Sequence, residues 1–179
     1  FESRHFGVEP LASAMGAEIV GVRLPELSDE GVEDLKRALW KHKMVYLRDQ
    51  HLTHGEHEDF SRRLGPFAVD AYTQGVEGHR DVHPIIKEAD EVTPSLFGGG
   101  WHTDSPFLPE PPSITTLRQV EGPPWGGDTT WANCALAFRH LSPTYQAMLR
   151  PLKVWMSARN NFATQAFLRG EAIQFGDAA

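Results

Sequence analysis

The sequence predicts an α+β fold with a mainly antiparallel sheet, in which helices come early and strands come late. Two capped helical patterns, at 29–42 and 53–65, lie in the early part of the chain. Runs rich in β-branched and aromatic residues, at 113–120, 128–134 and 153–158, lie in the later part. Because helices and strands that alternate along the chain would instead indicate a parallel sheet, this separation favours the α+β class.

The two predicted helices are defined by their capping signals. Ser28 can cap a helix over 29–42, whose first turn is acidic and whose last turn carries lysines. Apolar residues recur at helical spacing in this segment, so one face is expected to pack against a core. Thr53 and Glu56 form a capping box, which starts a second helix that ends at Gly65.

The other elements follow from shorter patterns. AEIVGVR at 17–23 and MVYLR at 44–48 are predicted strands, and a weak strand is expected near 82–87. A short helix is expected at 134–141, and the Ser-Pro pair at 142–143 provides the cap and first residue of another.

The composition excludes several classes of function. The chain has 179 residues, of which 40% are hydrophobic, enough for one domain with a sizeable core. A net charge of −7 without a basic patch argues against nucleic acid, and no apolar run is long enough to span a bilayer. A single cysteine, Cys134, excludes an internal disulfide framework and favours a reducing compartment, so a cytoplasmic location is expected.

His-x-Asp, a pattern that can supply two metal ligands, occurs three times: at His57 and Asp59, at His79 and Asp81, and at His102 and Asp104. The first pair lies on a predicted helix, where residues two apart do not face each other. The second lies in a polar turn and is expected to be solvated. The third lies in extended chain, where residues two apart project from the same face. His102 and Asp104 are therefore the candidate metal ligands.

The glycines at 98–100 precede this third pair and leave space and backbone freedom for a substrate to approach. The alternative interpretation is a flexible turn beside an exposed His102. A second group of histidines, His51, His54 and His57, lacks the spacing of the zinc signature and is expected to form a solvated helix face.

With its flanking segments, the third pair resembles the taurine dioxygenase family of Fe(II)- and 2-oxoglutarate-dependent dioxygenases. The matching segments are MGAEIVGV, LSDE, KHKMVYLRDQ, RRLG, WHTDSPF, EPPS, GGDTTWAN and LSP. The resemblance runs from about residue 15 to about residue 162. Their order and spacing carry the resemblance, above all WHTD followed by GGDT.

The resemblance implies a double-stranded β-helix, or jelly-roll, core with flanking helices. It implies Fe(II) held by His102, Asp104 and a distant histidine, a ligand set that leaves positions on the iron open. The cosubstrates are then 2-oxoglutarate, whose far carboxylate meets an arginine and Thr129, and O2. The implied reaction hydroxylates or otherwise oxidises an unactivated C–H bond of a small molecule, with release of succinate and CO2.

The sequence departs from the family where the third ligand and the arginine are expected. His140 lies on a predicted helix in a stretch that carries no ligand in the family, and Arg150, Arg159 and Arg169 are poor candidates for the carboxylate clamp. We therefore expect residues 1–179 to be a single catalytic domain that is incomplete at its C-terminus, with part of the barrel missing. One alternative is a catalytically inactive relative that binds a small molecule without the third iron ligand. Another, a zinc hydrolase, would also need a third ligand and a general base.

The resemblance also implies substrate-contacting residues, at Asp70, Tyr72, Gly98, Phe107 and Phe162. Asp70 and Gly98 stand where taurine dioxygenase itself has a histidine and an asparagine that help to hold taurine. Taurine is therefore not the expected substrate, and an acidic residue at position 70 favours an amine, a guanidine or several hydroxyls. Family members are often dimers or tetramers, so the resemblance is compatible with a homo-oligomer.

Overall fold

The structure, a computed structural model, describes residues 2–68, 75–88, 90–92 and 98–157. The chain divides into two compact units, of which the first comprises Phe1–Gly65 and Leu117–Lys153 and the second Pro66–Thr116 and Val154–Ala179. Among the described residues, every helix and strand lies in the first unit.

A three-stranded sheet forms the centre of the first unit, in the order β1 (Gly7–Pro10), β2 (Ala17–Val20), β3 (Val45–Tyr46). β1 pairs antiparallel with β2, whereas β3 pairs parallel with it, so the described sheet is mixed. The predicted strands at 17–23 and 44–48 are confirmed in shortened form. β1 was not predicted, because GVEP shows no alternation of apolar and polar residues.

Helix α1 (Asp29–His42) makes the crossover that a parallel pair requires between β2 and β3. The Ser28 side chain accepts a hydrogen bond from the Gly31 amide at 3.2 Å, as predicted for an N-cap. The helix ends where Lys43 adopts a left-handed backbone with φ of 70° and its amide donates to the Leu39 carbonyl. The predicted bounds are confirmed.

Helix α2 (His54–Leu64) begins with the predicted capping box. The Thr53 hydroxyl accepts from the Glu56 amide at 3.2 Å, and the Glu56 carboxylate accepts from the Thr53 amide at 2.8 Å. The hydrogen bonds that the Thr53 amide and hydroxyl donate to the Glu56 carboxylate lower the pKa of that group.

The apolar core of this unit gathers one face of α1, the inner side of the sheet and Phe60 of α2. A short 3-10 helix, Leu24–Glu26, contributes its first residue. The buried cluster consists of Phe6, Ile19, Leu24, Leu27, Val32, Leu35, Ala38, Leu52 and Phe60. Burial of these side chains is the main favourable contribution to the stability of the unit.

Two later helices complete the first unit, α3 (Cys134–Arg139) and α4 (Pro143–Leu149). The Asn133 side chain caps α3 and also donates to the Ala14 carbonyl at 2.7 Å. The Ser142 side chain caps α4 by accepting from the Tyr145 amide at 3.3 Å, and Pro143 takes the first helical position. Both helices were predicted.

The predicted late strands are wrong for the described residues. No strand forms at 82–87, 113–120 or 128–134, or over the described part of 153–158. A strand requires a neighbour that satisfies its backbone groups, and no described segment pairs with these ones. Their side chains are accordingly open to solvent, with Val120 exposed to 77% and Trp155 to 93%.

Turns and extended chain make up the described part of the second unit. An isolated bridge joins Val76 and His79, and the Val76 amide donates to the Val82 carbonyl at 2.9 Å. Within the described part of the chain, no helix has the length and apolar character needed to cross a membrane.

We predict that Thr53→Ala lowers the free energy of unfolding by about 1 kcal/mol, because it removes the N-cap of α2. Urea denaturation of the parent and variant proteins measures the difference. Thr144→Ala, at an exposed position of α4 that is not a cap, is the matched control and should cause no such loss. Equal losses in the two variants would contradict the capping interpretation.

Candidate metal centre

His102 and Asp104 lie side by side in a segment without regular secondary structure. Nε2 of His102 is 3.2 Å from Oδ1 of Asp104, and the two side chains are 52% and 45% exposed. The side chains thus face each other, as extended chain predicts for residues two apart. Because both are half exposed, the facing atoms are reachable from solution.

The Gly100 carbonyl determines which nitrogen of the imidazole carries a proton. Nδ1 of His102 lies 2.7 Å from the Gly100 oxygen, and since a carbonyl can only accept, Nδ1 must donate. In the neutral ring, Nε2 then presents its lone pair toward the Asp104 carboxylate. Two acceptor atoms at this distance are stabilised by a proton or a metal cation between them.

Thr115 holds the other side of the carboxylate. Its hydroxyl donates to Oδ2 of Asp104 at 2.6 Å, while Oδ1 faces His102. Sequence reasoning missed this residue because it lies eleven positions after Asp104 and belongs to no local motif. The alternating exposure of 111–118, which puts Thr115 on one side of an extended segment, is visible in the structure and not in the sequence.

The distance between the two facing atoms fits a shared metal ion. Two ligand atoms at about 2.1 Å from one ion and at right angles are about 3.0 Å apart. The observed 3.2 Å is close to this value. An imidazole nitrogen and a carboxylate oxygen are ligands that Fe(II) accepts. The described residues contain no group of three or more His, Cys, Asp or Glu side chains that could hold a metal.

The glycines leave room around the His102 ring. Gly98 has a φ of 71°, which favours glycine, and a Cβ built there would lie 3.5 Å from Cε1 of His102. A Cβ built on Gly100 would meet nothing within 4 Å. Among the described residues, the glycines therefore leave the predicted space beside the His102 ring.

The remaining predicted site residues are not all described. Phe107 lies half-buried in the turn from Ser105 to Leu108, in the same unit as His102. Thr129 is exposed and belongs to the first unit. Three further predictions, Asp70, Tyr72 and Phe162, lie outside the described residues.

The other two His-x-Asp pairs do not form comparable sites. On α2, Asp59 pairs with Arg62 at 3.1 Å. Burial, reinforced by the nearby charge of Arg118, lowers the pKa of the His57 imidazole. In the second pair, Oδ1 of Asp81 lies 3.8 Å from Nε of the neighbouring Arg80.

The other candidate histidines have structural contacts. Nδ1 of His54 lies 3.0 Å from the guanidinium of Arg118, which also donates to the Leu52 carbonyl. His140 follows the last turn of α3, and its amide donates to the Leu136 carbonyl at 3.1 Å. His54 is exposed, as the predicted solvated helix face requires, whereas His57 is half-buried, so that prediction is wrong for His57.

Several curated proteins with similar sequences are named as alpha-ketoglutarate-dependent dioxygenases. The chain is 34% identical over 157 residues to the alpha-ketoglutarate-dependent sulfate ester dioxygenase of Pseudomonas putida, covering 87% of this chain and 50% of that protein. It is 31% identical over 162 residues to the alpha-ketoglutarate-dependent sulfonate dioxygenase of Saccharomyces cerevisiae, covering 85% of this chain and 39% of that protein. The chain thus spans about half the length of the relatives it matches, or less.

A solved structure and the sequence pattern of a protein family also match the chain. The crystal structure of a taurine dioxygenase from Burkholderia xenovorans matches with a TM-score of 0.65 and 34% identity, covering 80% of this chain and 50% of that one. The pattern of the "Taurine catabolism dioxygenase TauD, TfdA family" matches residues 7–175, which is nearly all of the chain. The chain that carries the His102–Asp104 pair therefore belongs to the TauD/TfdA family.

Proposed function

We propose that the protein is an Fe(II)- and 2-oxoglutarate-dependent oxygenase that oxidises an unactivated C–H bond of a small molecule. The observation that carries this proposal is the facing pair, Nε2 of His102 and Oδ1 of Asp104, 3.2 Å apart. The names of the relatives support the reaction class. We also propose a cytoplasmic location, because Cys134 is a free, exposed thiol.

Each residue of the centre has a defined task in this proposal. His102 would bind the iron through Nε2, since its Nδ1 proton is held by the Gly100 carbonyl. Asp104 would bind through Oδ1 and compensate part of the positive charge. Bound iron, with 2-oxoglutarate and O2, supplies the oxidising chemistry, and succinate and CO2 are the coproducts. Gly98 and Gly100 leave the space in which the substrate carbon can lie near the centre.

We propose that residues 1–179 belong to one catalytic domain with a jelly-roll core. The support is the alternating exposure at 111–118, which is the pattern of a strand, although the segment has no strand partner among the described residues. We place the partner strands, the third iron ligand and the arginine for 2-oxoglutarate in sequence beyond the 179 residues. The proposal also allows a homo-oligomer.

The relatives and Asp70 point to different substrate charges. The relatives are named for sulfate esters, sulfonates and phenoxypropionate, which are anions at neutral pH. A carboxylate at position 70, if it faces the substrate, favours a cation or a polyol instead. We therefore propose that the substrate is a small polar molecule other than taurine. A substrate screen determines its charge.

The first test is an anaerobic titration of the full-length protein with Fe(II) and 2-oxoglutarate. We expect a visible charge-transfer band that requires both additions. His102→Ala and Asp104→Ala should each weaken Fe(II) binding by more than the roughly 10–100-fold typical of an outer-shell change.

Asp81→Ala is the matched control, since it removes the aspartate of another His-x-Asp pair. If both ligand variants bind Fe(II) as tightly as the parent, the metal assignment is wrong. No band in the parent, with weak Fe(II) binding, would favour the inactive, ligand-binding alternative.

We predict that Thr129→Ala raises the KM for 2-oxoglutarate by the equivalent of about 1.5–3 kcal/mol, because one charge-assisted hydrogen bond to the far carboxylate is lost. Succinate release at varied 2-oxoglutarate measures the change. Thr130→Ala, at the next exposed residue, is the control. An unchanged KM in Thr129→Ala removes this residue from the cosubstrate site.

A substrate screen by succinate release should contain two sets of compounds, amines and guanidines in one and sulfonates, sulfate esters and aryloxypropionates in the other. If an amine is accepted, we expect Asp70→Asn to lower kcat/KM for it by about tenfold, the loss of a 1.4 kcal/mol interaction. A neutral analogue of the same substrate should be unaffected. Turnover of anions alone, with no effect of Asp70→Asn, would exclude Asp70 from substrate binding.

A further inference from the structure

We infer that Thr115 is a positioning residue for the metal-binding carboxylate of Asp104. This inference rests on the proposed function, because it assigns Thr115 a task only if Asp104 binds the metal. It adds a residue outside the His-x-Asp and GGDT motifs to the centre. It also specifies how Asp104 binds, through one oxygen and not through two.

The hydrogen bond between these residues is short and charge-assisted. The hydroxyl of Thr115 lies 2.6 Å from Oδ2 of Asp104, within the range typical of a hydroxyl that donates to a carboxylate. A carboxylate only accepts, so the direction of the bond is fixed. The second oxygen, Oδ1, is left facing Nε2 of His102 at 3.2 Å.

The bond addresses a specific weakness of Asp104 as a ligand. The terminal torsion of an aspartate is broad, so a carboxylate that is 45% exposed can rotate and exchange its two oxygens. Holding Oδ2 at Thr115 restricts this rotation and keeps Oδ1 at the metal position. Because Thr115 holds Oδ2 and Oδ1 faces His102, the geometry favours binding through Oδ1 alone, which would leave one more position on the ion for other ligands.

The extended shape of the segment determines which hydroxyl reaches Asp104. Exposure alternates along 111–118, with Ser113, Thr115 and Leu117 on the exposed side and Thr116 on the half-buried side. Among the described residues, the hydroxyl that bonds the Asp104 carboxylate is that of Thr115, not that of Ser113. Ser113 therefore provides a matched control two residues away on the same side.

The test measures the Kd for Fe(II) of the full-length protein under anaerobic conditions, by competition with a chromophoric chelator. Thr115→Val keeps the shape of the side chain and removes the hydroxyl, Thr115→Ala removes both, and Thr115→Ser keeps the hydroxyl. We expect Val and Ala to weaken Fe(II) binding about 10–100-fold, as is typical for outer-shell partners, and Ser to restore the parent affinity. Ser113→Ala should bind like the parent. Circular dichroism of each variant establishes that it is folded.

Three results would overturn the inference, and they differ in what they imply for the function. If Val and Ala bind Fe(II) like the parent while Asp104→Ala does not, the metal site stands and Thr115 has no part in it. If Ser is weakened as much as Val, the hydroxyl is not the cause. If the parent itself fails to bind Fe(II), the proposed function fails together with the inference. Should Val fail to fold, Ala and Ser still give the comparison.

Discussion

The pairing of β2 with both of its neighbours determines the topology of the first unit. Because β2 is antiparallel to β1 and parallel to β3, the chain must cross over between β2 and β3, and α1 makes that crossing. Burial of the apolar face of α1 then closes the core. Extended segments without such a partner stay irregular, even where their composition favours a strand.

The side chains of His102 and Asp104 are held by single hydrogen bonds and not by strand pairing. Among the described residues, no strand neighbour supports the chain around His102, and single hydrogen bonds hold the two candidate ligands instead. The Gly100 carbonyl holds His102 and the Thr115 hydroxyl holds Asp104. Each contact is made by the atom that does not face the other side chain, Nδ1 in His102 and Oδ2 in Asp104. Nδ1 of His102 and Oδ2 of Asp104 are thereby engaged with other groups. Nε2 and Oδ1 are left facing each other.

Features set within a few residues could be predicted from the sequence, and features set by distant partners could not. The caps Ser28, Thr53 and Ser142, and the facing of His102 and Asp104, depend on residues two to four positions apart. In contrast, β1 depends on pairing with β2, and the late strands were overpredicted because β-propensity does not reveal whether a partner exists. The bond from Thr115 spans eleven residues, too far for a local pattern.

The contact between Gly100 and His102 is made by a backbone carbonyl, so it does not depend on the side chain at position 100. Replacing residue 100 changes a side chain but keeps the carbonyl that fixes the protonation of His102. Among the described residues, a Cβ at position 100 meets nothing within 4 Å, whereas a residue other than glycine at position 98 would be strained by the left-handed backbone there. Position 100 can thus accept substitutions that reshape the surroundings of His102 and Asp104 while the contact between the residue 100 carbonyl and His102 is kept. Evolution of new specificities, or their engineering, thus has a tolerant position directly beside the candidate metal pair.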